Sequence, residues 1–259
     1  MTVHPLAEPF LADGDPSSPR GRTGVLLSHG FTGSPASMKG WGEYLAGQGY
    51  AVSVPRLPGH GTTWRDMNTT TWTDWCGEVD RAFETLSHQV DSVFVCGLSM
   101  GGGLALRLAA DRPDRVAGLV LVNPAVGTNR KDVKMLPVLK HLVPSFPGIA
   151  NDIKKPGIEE HGYSRTPLRA ADSMFRGYKV LRSELGRVTC PVLLYRSAED
   201  HVVDPSSARI ILSSVASSDT REETLENSYH VATLDNDAER IFEGSAAFIE
   251  RVSGAVRRS

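Results

Sequence analysis

Short runs of apolar, β-branched residues alternate along this chain with longer segments whose apolar positions recur every three or four residues. The first pattern marks buried strands and the second amphipathic helices. Gly24-Val25-Leu26-Leu27-Ser28-His29-Gly30 predicts a buried strand running into a turn. Ser34-Pro35 then reads as a helix cap and first helical residue, with the helix ending at Gly47 or Gly49. Ala51–Val54 predicts the next strand, and Thr73–Ser87 a helix with Trp75, Val79, Phe83 and Leu86 on one face. Val93–Cys96 is a third strand, followed by a Leu/Ala-rich helix through Ala110. Val116–Val122 and Val192–Tyr195 are further buried strands, and Glu223–Leu225 is a weaker one. A helix over about Asn236–Val252 closes the chain. Strands alternating with helices predict an α/β fold built on a mostly parallel sheet.

One connection breaks the rhythm. Between Val122 and the strand after Cys190 lie 68 residues, where a simple crossover needs a dozen or so. The chain is therefore divided into a core, residues 1–122 and 191–259, and an inserted cap with its connecting helix, residues 123–190. Within the cap, Asp132–Val143 and Thr166–Leu185 read as helical, and Pro144 and Pro147-Gly148 end the first of these.

Composition narrows the class. The chain has 259 residues, 40% hydrophobic and 22% charged, with net charge -2. That balance suits a globular protein and gives no electrostatic footprint for nucleic acid. Cys76, Cys96 and Cys190 lack the spacing of metal ligands or a redox pair, so buried thiols are expected. No basic-then-apolar leader opens the sequence and no run is long enough to span a membrane, so a cytoplasmic protein is expected. No pattern sets an oligomeric state.

The chemistry concentrates at Gly97-Leu98-Ser99-Met100-Gly101, a G-x-S-x-G run preceded by a strand and followed by a helix. Such a turn holds its serine in a strained conformation, and side chains two positions away would collide there, so Gly97 and Gly101 supply the room. Ser99 is the candidate nucleophile. It needs a base and an acid later in the chain. His230, between the weak strand and the last helix, is the candidate base; His201 sits beside the candidate acid and points elsewhere. Among Glu199, Asp200 and Asp204, Asp200 is chosen for its place just past the Val192–Tyr195 strand, and Asp204 before Pro205 is expected to cap a helix. His29 and His60 are expected to brace glycine-rich loops, and His4, His88, His141 and His161 to lie at the surface. The backbone N–H groups of Phe31 and Met100 are the expected oxyanion donors.

These stretches resemble the bacterial monoacylglycerol lipases and their thermostable carboxylesterase relatives, of the α/β-hydrolase superfamily. The resemblance rests on His29-Gly30-Phe31-Thr32-Gly33, Gly97–Gly102, Glu199-Asp200-His201-Val202-Val203 and Asn227–Asp235, which together span nearly the whole chain. It implies a Ser99, Asp200 and His230 triad and an oxyanion hole from Phe31 and Met100. It also implies a small mobile cap over a narrow acyl channel, with Phe31 and Glu160 contacting substrate. Glu160, with Glu159 adjacent, stands where that family's cap glutamate reads the glycerol hydroxyls. The expected function is hydrolysis of a small ester or lipid substrate, foremost a monoacylglycerol, without metal or cofactor. A general carboxylesterase and a catalytically silent ligand-binding relative are the alternatives. The cap segment carries twelve Lys/Arg against six Asp/Glu, leaving -8 on the rest of the chain. Transient contact with an anionic lipid surface is therefore expected, against the plainer reading of solvated helix faces.

Overall fold

The computed structural model of the chain describes residues 3–256; residues 1–2 and 257–259 of the expected core lie outside it. The elements are β1 (Phe10–Ala12), β2 (Thr23–Ser28), α1 (Ala36–Gly47), β3 (Ala51–Val54), α2 (Trp64–Met67), α3 (Trp72–Ser87), β4 (Ser92–Leu98), α4 (Met100–Asp111), β5 (Val116–Val122), α5 (Leu136–Leu142), β6 (Ser145–Pro147), β7 (Arg165–Pro167), α6 (Leu168–Glu184), β8 (Val192–Ser197), α7 (Ser206–Ser214), β9 (Thr220–Leu225) and α8 (Ala238–Val256). A seven-stranded sheet runs in the order β1-β3-β2-β4-β5-β8-β9. All its pairs are parallel except β1 with β3. This is the mostly parallel α/β sheet that the alternation predicts and the α/β-hydrolase architecture that the resemblance implies.

The central strands are buried and largely apolar because helices cover both faces. On one face Trp75, Phe83, Leu104 and Leu119 pack together. On the other, Trp41, Phe94, Phe248 and Ile249 do so, under α1 and α8. The chain winds from β2 through α1 to β3 on one side, whereas β4 leads through α4 to β5 on the other. The connections therefore diverge between β2 and β4, and a crevice opens at the carboxyl ends of those two strands, where such sheets bind ligands.

Several boundaries differ from the sequence expectation, each for a local reason. Helix α1 starts at Ala36, with Pro35 at the cap position and the Ser34 hydroxyl accepting the Ala36 N–H at 3.3 Å. Helix α3 starts one residue early because Thr71 and Asp74 form a reciprocal capping box. The helix expected over Asp132–Val143 is split. Residues Lys131–Met135 form a 3-10 turn, and the α-helix begins at Leu136, next to Pro137. Proline has no N–H to donate and its ring excludes a preceding helical turn. Likewise α6 begins at Leu168, because Thr166 and Pro167 are extended and pair with Phe146 and Ser145 in the β6–β7 hairpin. Strand β1, α2 and this hairpin have no counterpart in the sequence reading.

Candidate active site

Strand β4 is buried and ends at Leu98; α4 begins at Met100. Ser99 must turn the chain between them, and does so at φ 56 and ψ -120. A non-glycine residue there stores on the order of 1–3 kcal/mol of strain. The surroundings hold it: its N–H donates to the Val122 carbonyl at 3.0 Å, and its carbonyl accepts from Ala125 N–H at 3.0 Å. A Cβ on Gly97 would lie 2.3 Å from the Gly101 carbonyl oxygen, and one on Gly101 only 2.1 Å from that of Ser28. The two glycines thus meet the steric demand that the motif implies. Ser99 is buried to 8% exposure at the N-terminus of α4, where the helix field favours negative charge.

Asp200 and His230 come from the loops after β8 and β9. Asp200 Oδ2 lies 2.9 Å from His230 Nδ1, and both side chains are buried. The other carboxylate oxygen of Asp200 accepts the N–H groups of Val202 and Val203, each at 2.8 Å. Burial alone would raise the Asp200 pKa, but the His230 imidazole and these donors outweigh it and hold the carboxyl below its ordinary value. Burial alone would lower the His230 pKa, but Asp200 outweighs it, with Glu160 and Asp152 adding, so the imidazole stands above its ordinary value. Ser99 and His230 line one cavity of about 630 Å³, within the usual range for small-molecule sites of roughly 300–1,000 Å³.

Phe31 follows the turn at the end of β2, and Gly30 brings that turn against Ser99. A Cβ on Gly30 would approach the Ser99 Cβ to 3.2 Å. Among the described residues, neither Phe31 N–H nor Met100 N–H donates to a protein acceptor. His29 and His60 brace the neighbouring loops. His29 Nε2 accepts the Leu57 N–H at 3.2 Å, and His60 Nδ1 pairs with the Pro58 carbonyl at 3.1 Å. Burial pushes His29 down to about 4, so it stays neutral. His4, His88, His141 and His161 are exposed. Asp204 accepts the Ser206 N–H at 2.9 Å at the start of α7, and also holds Asn129.

The cavity lining is of two chemical kinds. Leu136, Leu139, Leu168, Met174 and Phe175 are apolar; Thr32, Asn151, Asp152 and Glu160 are polar. The Glu160 N–H donates to Asn151 Oδ1 at 2.7 Å, and its carboxyl sits against Gly33. Desolvation raises that carboxyl to about 7, with His230 pulling the other way. Glu159 is exposed and does not line the cavity. His201 turns away from Asp200 and lies 2.7 Å from Asp152 Oδ1 and 3.3 Å from Glu199.

Two structural side chains went unread in the sequence. Asn123, at φ 43 just past β5, accepts the Ser197 N–H at 2.7 Å and donates to the His230 carbonyl at 2.8 Å. It ties the end of β5 to the end of β8 and to the His230 loop. Its signal was slight: an asparagine at the end of a buried strand, where a polar side chain has to find partners. Asp235 accepts N–H groups from Lys154, Lys155, Tyr229 and Asn236 at 2.6–2.9 Å. Among the described residues, no three His, Cys, Asp or Glu side chains cluster as a metal-ligand set.

Comparison with known proteins gives the family. Residues 19–237 match the family described as serine aminopeptidase, S33. The chain belongs to that family. Within it, the chain is 40% identical to the thermostable monoacylglycerol lipase of Bacillus sp. (strain H-257), covering 96% of each protein. It is 28% identical to the carboxylesterase of Bacillus subtilis (strain 168), over 90% of this chain and 94% of that one. A solved structure from work on the metagenome-derived lipolytic enzymes LipS and LipT superposes with a TM-score of 0.91 at 42% identity, covering 96% of this chain and all of that one. The monoacylglycerol lipase of Paleococcus ferrophilus shares the fold at a TM-score of 0.77 and 22% identity, over 98% of this chain and 99% of that one. The resemblance drawn from the motifs is therefore borne out.

Proposed function

We propose that this S33-family protein hydrolyses carboxylic esters, with monoacylglycerols as its substrates and Ser99 as the nucleophile. The observation that carries this reading is one cavity lined by Ser99 and His230, by an apolar wall and by the Glu160 carboxyl, with Asp200 hydrogen-bonded to the imidazole. His230 takes the Ser99 hydroxyl proton as the oxygen attacks the ester carbonyl. The negative charge that forms is met by the N–H groups of Phe31 and Met100; such donors are worth about 10²–10³ in rate each. The tetrahedral intermediate collapses, His230 gives its proton to the departing glycerol oxygen, and the acyl group stays on Ser99. Water, activated by the same imidazole, then releases the fatty acid. Asp200 keeps the imidazole in the tautomer this requires.

The apolar wall suits the acyl chain. Glu160, Asn151 and Thr32 suit the glycerol hydroxyls; near neutrality the Glu160 carboxyl is divided between forms that donate and accept hydrogen bonds. The similarity to a monoacylglycerol lipase over almost the full chain favours this substrate. The similarity to a carboxylesterase favours a broader alternative with the same chemistry. In this reading residues 123–190 form a cap. Outside the cavity it exposes Met135, Val138 and Leu142 beside a basic charge excess, which suits docking on an anionic lipid surface.

Initial rates with monooleoylglycerol and with ethyl oleate, for the wild type and Glu160→Gln, test the assignment. A site that reads hydroxyls loses much of its preference when the reader changes. The variant is expected to lose more rate on the glycerol ester than on the ethyl ester. Equal losses would favour the general carboxylesterase.

A further inference from the structure

We propose that Asp152 is a positioning residue for the hydrolytic site, a carboxylate carried by the 123–190 segment that clamps the Asp200 loop and the His230 loop together. The proposal rests on the ester-hydrolase reading above. Asp152 is buried to 9% exposure, far in sequence from both loops it touches. Its Oδ2 accepts the backbone N–H of His230 and that of His201, the residue after Asp200, each at 3.2 Å. Its Oδ1 lies 2.7 Å from His201 Nδ1. Its own carbonyl accepts the Val231 N–H at 3.1 Å. One side chain therefore spans the two backbones whose separation sets the Asp200–His230 hydrogen bond.

The clamp is reciprocal. Asp235, from the base side, accepts Lys154 and Lys155 N–H groups from the segment that carries Asp152. The two carboxylates lock residues 152–155 to residues 229–236. A buried carboxylate is a costly way to hold a loop, since a charge taken out of water must be compensated. Here it is compensated by backbone donors and by His201, and its charge remains close enough to His230 to favour the imidazolium. The titratable groups facing His230 are Asp200, Glu160 and Asp152, with His201 and Glu199 beyond Asp152. A shift of the segment that pulled Asp152 away would loosen the triad geometry at the same moment. The position of the segment and the alignment of the base are thus coupled through one side chain.

The two roles of the carboxylate separate in two variants. Asp152→Asn keeps an acceptor for the two N–H groups and removes the charge. Asp152→Ala removes both. The readouts are kcat and KM on p-nitrophenyl butyrate, the pH profile of kcat/KM, and the melting temperature. Misplacing a catalytic group by about 1 Å can cost about 100-fold, so Asp152→Ala is expected to lower the plateau kcat by about 10- to 100-fold, with a smaller change in KM. Asp152→Asn is expected to restore most of that loss. It should also move the acid limb of kcat/KM to lower pH, because His230 loses a neighbouring negative charge. If Asp152→Ala does not fold, the Asp152→Asn limb alone decides, and a limb at the wild-type pH overturns the proposal. Alanine and asparagine variants with the same plateau kcat also overturn it. A wild-type protein that turns over no ester sinks the hydrolase reading itself, which is a different result from active wild type with indifferent Asp152 variants.

Discussion

At the scale of single residues, the turn at Ser99 was legible because steric exclusion leaves few sequences that can make it. Gly97 and Gly101 face backbone oxygens that cannot move aside. Gly101→Ala is expected to lower stability by about 1–3 kcal/mol or more. For a chain of this size that is roughly 2–4 °C in Tm per kcal/mol, read by calorimetry. Glu160 makes a subtler prediction. Its folded carboxyl titrates near 7 against an ordinary 4.5. The folded state therefore keeps the proton while the unfolded chain has lost it, and stability falls as pH rises through that window. Glutamine has no proton to lose. The stability of Glu160→Gln relative to wild type is expected to rise between pH 5 and pH 8, by about 1–3 kcal/mol after allowing for water at the cavity mouth. A difference that stays flat across this range would remove the case for a desolvated carboxyl.

At the scale of elements, apolar runs located every long central strand, because both faces of such a strand are buried and its composition is unambiguous. The elements that went unread are short or contain proline: three-residue β1, and the β6–β7 hairpin whose partners include Pro147 and Pro167. A three-residue strand has too few positions to show a period. Prolines also trimmed α5 and α6 at their starts, where a run of apolar residues outlasts the helix itself. The contacts between elements were the least legible, since they depend on chain segments far apart. Asn123 is the clearest case. Asn123→Ala leaves the Ser197 N–H and hydroxyl and the His230 carbonyl short of a partner, at about 1–3 kcal/mol for a buried group so orphaned. We expect a lower denaturant midpoint together with a reduced kcat, because the His230 loop loses its tether to β5. A loss of stability with kcat unchanged would make Asn123 a purely structural contact.

At the scale of the whole molecule, the sheet's reversal of winding puts the turns after β2 and β4 side by side. The loops after β8 and β9 carry Asp200 and His230, the proposed acid and base. The segment between β5 and β8 lines the same cavity as Ser99 and His230 and concentrates positive charge, while the rest of the chain is negative. Some of that charge is paired internally, as Lys140 with Asp172 at 2.6 Å. On a lipid surface, attraction between the remainder and anionic headgroups is screened by salt. Turnover of monooleoylglycerol in anionic vesicles is therefore expected to exceed that in neutral vesicles at low salt, with the difference fading in high salt. Rates indifferent to both would leave only the apolar part of the docking surface.

The most direct measurement is peptide mass spectrometry after exposure to a fluorophosphonate, which reacts with a hydroxyl only when a base has activated it. The account predicts a single stoichiometric adduct on the peptide containing Ser99, formed far more slowly in His230→Ala. An adduct on another residue, or labelling of Ser99 at the same rate without His230, would contradict it.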